Sequence, residues 1–468
     1  MNSKQSFSDF KSDFYAKVSD FTLFDCAEFN ALKIVLDGLK VDYVSRGKVK
    51  SPIFQSLFVY ESINLLKRLK SSILKSNLGH SKQAIEALKN KPYLISDDGR
   101  IAIDANGLPH SYYFSNLMHA LQNELCVHVI DKKRHQKSQC HFIIEQLTQS
   151  IVLQTLNERE KLLIANIRAT FKRIKASKIF NEKELHNIAF AFQNFFNQYK
   201  TWSRLLDQLN PSLMFCIVHY HNEGKMLAFK RKGIKVIELQ HGLISTKDIF
   251  YVFPAQVKAV VDKALFADEI WVYGNYWKEV LSRGAEYSHH TKVAGYYLYD
   301  QFEGYADAAR EIDLFASENQ LILITTQTFL HEPFVAYIKW LNNDILKRKL
   351  PFKILVKNHP LEKKEHYQSL EKEELVKIVN YPLPVIFKQV CMHVTIYSTT
   401  LYDGARAGVP GFSLYCEPQK DYIEEILKSG VAVALQPNQN PIDLISEMKT
   451  ADANYYYKEF SINELLPL

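Results

Sequence analysis

Short apolar runs, each closed by a polar cluster, recur through the second half of the chain. Residues 236–239, 352–356 and 393–396 are three of them, and each reads as a buried strand. Around the first, a strand over 213–218 leads to a helix over 224–232 that Gly233 closes, and then to a strand over 234–239. A further strand at 268–274 precedes a helix over 275–282 with Asn275 as its N-cap, and 292–295 adds a short strand. A second alternation begins at 321–326. There Pro333 suits the first turn of a helix reaching about 349, and strands follow at 352–356, 393–396 and 411–415. A helix over 401–407, closed by Gly408, stands between the last two. Strand–helix–strand order, met twice, predicts an α/β chain with two doubly wound domains facing a cleft.

The first half differs. Residues 1–90 read as a mainly helical extension, with Lys67, Arg68 and Lys70 on an amphipathic stretch over 63–74. Such charge is ordinarily a solvated helix face, and contact with an anionic membrane surface is the alternative. Residues 93–103 carry Asp97-Asp98-Gly99 between apolar runs, which predicts a hairpin. Asp97 and Asp98 then read as turn residues rather than a catalytic carboxylate pair. Residues 125–130 form a buried strand. Residues 138–209 hold no glycine or proline and show helical spacing, so a helical insertion is expected there. Lys132-Lys133-Arg134 and Arg168, Lys172, Arg173 and Lys175 read as solvated positions, with an acidic acceptor as the alternative. The expected division is an acceptor-side domain over 1–299, a linker over 300–319 and a donor-binding domain over 320–468.

Composition narrows the classes. The chain has 468 residues, 47% hydrophobic and 23% charged, which suits a globular protein with more than one core. No apolar run is long enough to span a membrane. The start, Met1-Asn2-Ser3-Lys4-Gln5, predicts no signal peptide. Six scattered cysteines without a CxxC pair predict neither a disulfide frame nor a zinc site. A cytoplasmic protein is expected, with the inner face of the cell membrane as a peripheral contact. The net charge of +7 is compatible with an anionic ligand, and nothing points to nucleic acid.

The polar clusters at the strand ends carry the candidate chemistry. His241 leaves its strand directly before Gly242, where the backbone can turn sharply, and a histidine so placed can act as a general base. Gln240, Ser245, Thr246 and Lys247 make a polar loop suited to a hydroxylated or anionic ligand. Lys357 and His359, with Pro360 holding the backbone extended, offer phosphate contacts. Ser398, Thr399 and Thr400 open a helix and present hydroxyls and free N–H groups to an anion. Thr400 and Asp403 are also spaced as a capping box, and Asp403 is either a cap or an acceptor for ribose hydroxyls. Thr326 and Gln327 end the strand at 321–326 and join the cleft loops. His219 and His221 form an H-x-H pair without a third ligand at metal spacing and read as a loop lining the cleft, and His289-His290 reads as a polar turn. Asp-x-Asp, GxGxxG, Walker and GxSxG patterns are all missing, which disfavours a metal-bound diphosphate, a dinucleotide cofactor and a hydrolase.

Taken together, these residues resemble GT-B-fold glycosyltransferases of bacterial surface polysaccharides. The similarity is to sialyl- and Kdo-transferases and to the CDP-glycerol polymerases of teichoic acid. His359-Pro360 and Ser398-Thr399-Thr400 match the His-Pro and Ser/Thr motifs whose implied role is to grip the donor nucleotide and its phosphate. His241-Gly242 matches the His-Gly of the polymerases, whose histidine is the proposed base. Sialyltransferases carry an acidic pair before the glycine, where this chain has Gln240-His241. The resemblance covers about 213–415. It implies a cytidine-linked donor such as CMP-Kdo, a polysaccharide or lipid-linked glycan acceptor, no cofactor and no metal. A polyol-phosphate transferase, a UDP-sugar enzyme including a non-hydrolysing epimerase, and a non-catalytic scaffold are the rival readings.

Overall fold

The computed structural model describes residues 13–18, 20–45, 86–130, 140–151, 154–246, 250–253, 257, 260–283, 290–299, 302, 304–328, 330–360, 362–447 and 452–466. The expectations for 63–74, for Lys132-Lys133-Arg134, for Lys247 and for His289 lie outside the described residues.

Lobe 1 opens with a small hairpin of β1 (Asp25–Cys26) and β2 (Phe29–Asn30), followed by helix α1 (Leu32–Ser45). Next come β3 (Tyr93–Asp97), β4 (Ile101–Ile103), β5 (Pro109–Ser111), helix α2 (Ser115–Ala120), β6 (Cys126–Ile130) and β7 (Phe142–Ile143). The expected helical insertion follows as α3 (Ile144–Ile151), α4 (Glu158–Ala176) and α5 (Glu182–Leu206). Asn157 and Asn181 start α4 and α5 with capping boxes, satisfying N–H groups that a helix start leaves open. α5 buries Ile188, Phe192, Phe195 and Trp202 at helical spacing. The lobe continues with β8 (Leu213–Cys216), α6 (Glu223–Arg231), β9 (Lys235–Leu239), β10 (Glu269–Val272), α7 (Asn275–Ser282) and β11 (Thr291–Val293). Gly274, not Asn275, is the N-cap of α7, and no side chain caps it. The strands lie in the order β11-β10-β9-β8-β3-β6-β7, all parallel.

The hairpin expected over 93–103 does not form. β3 runs parallel to β6 and β8 at the sheet centre, while β4 pairs antiparallel with β5. The reason is burial: Leu94, Ile95, Ser96 and Asp97 are all buried, as a central parallel strand with both faces covered requires. Asp97-Asp98-Gly99 therefore ends a strand instead of reversing one.

Residues 300–319, read from sequence as a linker, carry helix α8 (Ala306–Ala316), whose Ile312 packs with Leu321, Leu323 and Leu355. Lobe 2 follows with β12 (Gln320–Thr325), α9 (His331–Arg348), β13 (Phe352–Lys357), β14 (Val376–Val379), α10 (Leu383–Phe387), β15 (Met392–Thr395), α11 (Thr400–Arg406), β16 (Gly411–Leu414), α12 (Lys420–Ser429) and β17 (Val433–Leu435). Its order is β14-β13-β12-β15-β16-β17, again all parallel. Two Rossmann-like lobes with parallel sheets and a helical N-terminal and inserted region make a GT-B-type architecture. Among the described residues no helix is long and apolar enough to cross a membrane.

The end of the chain returns to lobe 1. Helix α13 (Ala453–Tyr456) and the residues after it bond along β10 and β11: Lys458 donates to Tyr273 O at 2.9 Å, and Tyr296 donates to Lys458 O at 2.9 Å. Two glycines make room. A Cβ on Gly274 would sit 2.4 Å from Tyr456 O, and Gly295, at φ +94°, has Glu459 O where its Cβ would be. Tyr402 and Ile426 of lobe 2 belong to the same buried cluster as Trp277 and Tyr456, so the seam between the lobes is a packed core.

Both sheets have a point where the chain reverses direction across the sheet. In lobe 1 the chain moves outward from β3 through β6 and β7, then restarts at β8 on the other side of β3. In lobe 2 it moves outward from β12 through β13 and β14, then restarts at β15. Ligands of open α/β sheets bind outside the carboxyl ends of the strands at such points. The ends that matter are therefore Asp97 and 217–220 in lobe 1, and 325–327 and 396–399 in lobe 2.

Candidate functional site

The His-Pro loop leaves β13 and is tied to β12. His359 N donates to Thr326 Oγ1 at 3.0 Å, Thr326 Oγ1 bonds Glu362, and Tyr367 OH donates to Glu362 Oε1 at 2.8 Å. Thr326 is buried at 4% exposure, so its hydroxyl positions the loop. Pro360 is exposed. Burial holds the His359 imidazole below its ordinary range, as do the charges of Arg100 and Lys357, against the opposing pull of Glu362. Arg100 belongs to lobe 1, just beyond β3, so a charge of lobe 1 acts on the His-Pro loop of lobe 2. Burial alone depresses the Lys357 ammonium to about 8. Between them, Asn358 Oδ1 is buried without a hydrogen-bond partner.

Gln327 ties the second loop to the first. Its Nε2 donates to Tyr397 O at 2.8 Å, and its Oε1 accepts from Tyr397 N at 2.8 Å. Thr400 Oγ1 lies 3.0 Å from Thr325 Oγ1, which in turn bonds His393 Nε2 at 2.9 Å. Burial keeps His393 neutral, lowering it to about 3. The Thr400 hydroxyl is thus committed to the sheet, while Ser398 Oγ accepts from Thr400 N at 3.3 Å and both Ser398 and Thr399 are partly exposed. The Thr400–Asp403 capping box does not form. Thr399 is the N-cap and makes no side-chain cap bond, and α11 is only seven residues long. Asp403 is instead bonded by Tyr457 of the returning C-terminal segment, and burial raises its carboxyl to about 7 against that bond and the Arg406 charge.

On lobe 1, His241 follows β9 and its Nε2 lies 3.1 Å from Tyr220 OH. Tyr220 stacks on Phe250 at 4.1 Å. Gln240 is fully buried: its Nε2 donates to Gly242 O at 3.0 Å and its Oε1 accepts from Tyr273 N at 3.0 Å, so it shapes the turn. Ser245 is buried, and Thr246 N donates to Glu425 of α12 at 3.0 Å, a bond from lobe to lobe. Of the H-x-H pair, His219 is a core residue. Its Nδ1 meets Glu238 at 2.5 Å and its Nε2 meets Phe250 O at 3.1 Å. Both ring nitrogens are thus engaged inside the core, away from any open space. Among the described residues no group of three or more His, Cys, Asp or Glu is arranged to hold a metal ion.

The residue set aside at the sequence level is Asp97. It closes β3 at the switch point of lobe 1, is 1% exposed, and borders a cavity of about 450 Å³. His128 Nε2 lies 3.1 Å from its Oδ2, Ser111 donates to the same oxygen, and Gly99 N donates to Oδ1 at 3.1 Å. Such a carboxylate is fixed in place beside an open space. The signal that could have found it is the acidic pair before a glycine, Asp97-Asp98-Gly99, which the hairpin reading absorbed.

No protein-family model matches the sequence, and no curated protein matches it. Solved structures do resemble the fold. S. aureus MnaA in its UDP co-structure has a TM-score of 0.46 at 12% identity, over 79% of this chain and 92% of that one. The calicheamicin glycosyltransferase CalG4 has 0.43 at 11%, over 78% and 92%. The UDP-GlcNAc 2-epimerase of Neisseria meningitidis, bound to UDP-GlcNAc, has 0.43 at 10%, over 76% and 89%.

Proposed function

We propose that this chain is a glycosyltransferase that moves a sugar from a nucleotide-activated donor held by lobe 2 to a hydroxyl of a glycan acceptor held by lobe 1. The observation that carries the reading is the orphaned Asn358 oxygen at the end of β13, flanked by Lys357 and by His359, on which the Arg100 charge of lobe 1 also acts. An ammonium, a guanidinium and an imidazole N–H near strand ends suit a phosphate, and an unpaired acceptor suits a donor group of the same ligand. In transfer, the acceptor oxygen forms a bond to the activated carbon as the carbon–oxygen bond to the phosphate breaks. The nucleotide leaves with the electron pair, and Lys357, His359 and Arg100 stabilise the charge that develops on it. The acceptor proton passes to the Asp97 carboxylate, a step worth ~10²–10⁴ in rate. Ser398 and Thr399 extend the phosphate site from the β15 side.

His241 is the second candidate for the base, supported by the Tyr220 bond that fixes its ring. The cavity beside Asp97 in lobe 1 gives room for a second substrate, which favours transfer between two substrates over epimerisation of one. The acceptor class is a cell-surface polysaccharide or lipid-linked glycan, met in the cytoplasm or at the inner membrane face, and the donor is cytidine-linked. Thermal shift with CMP, CDP, UDP, GDP and ADP tests the reading, because binding to the native state raises apparent stability by mass action. A rise with CMP or CDP supports it. A rise with UDP alone moves the donor to a UDP-sugar, and no rise with any nucleotide refutes the reading.

A further inference from the structure

The cavity at the carboxyl end of β3 is a substrate-sized space, and its wall has a chemistry of its own. His110 and Tyr299, both in that wall, stack at 4.4 Å with their planes 14° apart. Tyr299 is 4% exposed while His110 is half-buried, so the free face of the stack belongs to the imidazole. Asp104 Oδ2, 3.2 Å from His110 Nε2, sets the ring's orientation. The polar neighbours Ser115, Asn116 and Asn123 are uncharged, His119 and His128 join His110 in the wall, and no lysine or arginine is among its described residues. The carboxylate of the wall is that of Asp97, buried and bonded by His128 and Ser111. A flat ring backed by a second ring, amide and hydroxyl groups, and one acceptor carboxylate suit a ligand with an apolar C–H face and hydroxyl edges. A phosphate or acidic sugar in the same space would place like charge beside the Asp97 carboxylate.

We propose that this cavity holds an uncharged terminal glycosyl residue of the acceptor, with its ring face on His110 and a hydroxyl donated to Asp97. The proposal rests on the transfer reading above and adds the acceptor's class: a neutral sugar terminus is taken, and a terminus ending in phosphate or an acidic sugar is refused. His110 is then a specificity-determining residue.

Calorimetric titration of the full chain, with and without CMP, tests this. The neutral probes are lactose and cellobiose, and the charged ones are 3′-sialyllactose and glucose 6-phosphate. A neutral probe should bind at least about tenfold more tightly than either charged one. His110→Ala should weaken it about tenfold, and His110→Phe, which keeps a flat ring, should restore it. Equal or tighter binding of a charged probe overturns the proposal. So does neutral binding indifferent to His110→Ala in a variant that melts as the parent does, and so does a failure of both neutral probes to bind. If those probes fail while a nucleotide binds, the cavity assignment falls and the donor site stands. If they bind and no nucleotide does, the transfer reading falls.

Discussion

Lys357→Met separates what this lysine does for the fold from what it does for the ligand. Burial without a counter-charge lowers its ammonium from 10.5 to about 8. At 1.36 kcal/mol for each tenfold change, the charged form costs the empty protein about 3 kcal/mol at neutral pH, an upper value because part of the side chain reaches water. Methionine fills similar space without charge. The variant should therefore melt higher, by roughly 2–4 °C for each kcal/mol recovered in a lobe of this size. Its nucleotide affinity should fall, since a charge-assisted hydrogen bond to phosphate is worth roughly 1.5–3 kcal/mol, about 10- to 150-fold. The pH dependence gives a second check. Between about 8 and 10.5 the unfolded chain binds more protons than the folded one, so the parent's stability rises through that window because of Lys357. The variant lacks that rise. Bound phosphate favours the ammonium, so the parent's nucleotide affinity should decline as pH climbs past 8. Differential scanning calorimetry and titration with CMP read both quantities. A variant that melts lower and binds CMP unchanged refutes the reasoning.

Asp97→Asn should remove most turnover while leaving nucleotide affinity within about twofold, because a base acts only in the transition state. If His241→Ala does this instead and Asp97→Asn keeps its rate, the base is His241. Transfer in excess EDTA should stay near its untreated level if Lys357 and Arg100 supply the positive charge and His359 a hydrogen bond at the proposed phosphate site; loss restored by Mg²⁺ or Mn²⁺ would contradict it. Asp403 titrates near 7 when folded, far above its unfolded range, so its contribution is present at acid pH and is lost as pH rises through 7. Asp403→Asn should flatten that decline in urea titrations from pH 5 to 8, and an unchanged slope would exclude Asp403 as its source.

The strands of both lobes were legible in sequence because parallel strands are continuous apolar runs closed by turns, as at 236–239 and 352–356. The His-Pro and Ser/Thr loops were legible for the same reason, since each directly follows such a run. What sequence could not give was pairing. Asp97-Asp98-Gly99 has the composition of a hairpin turn, and only the parallel neighbours β6 and β8 make it a strand end at a switch point. The edge strands β14 and β17 are short, and β17 is partly exposed, so they left weak patterns. Gln240 and His219 looked like ligand-facing polar residues, yet their partners, Tyr273 and Glu238, lie on neighbouring strand segments far along the chain. The return of 452–466 to lobe 1 depends on space left by Gly274 and Gly295, a contact across more than 150 residues that no local pattern encodes.

The proposed transfer depends on a nucleotide held by its phosphate at the His-Pro loop of lobe 2. A crystal structure of the full chain grown with CMP or CDP would show whether it is. Phosphate oxygens should lie within hydrogen-bonding distance of Lys357 Nζ and the His359 ring, with the Asn358 side-chain oxygen accepting from the ligand. A nucleotide bound elsewhere, with Lys357 and His359 left untouched, would contradict it.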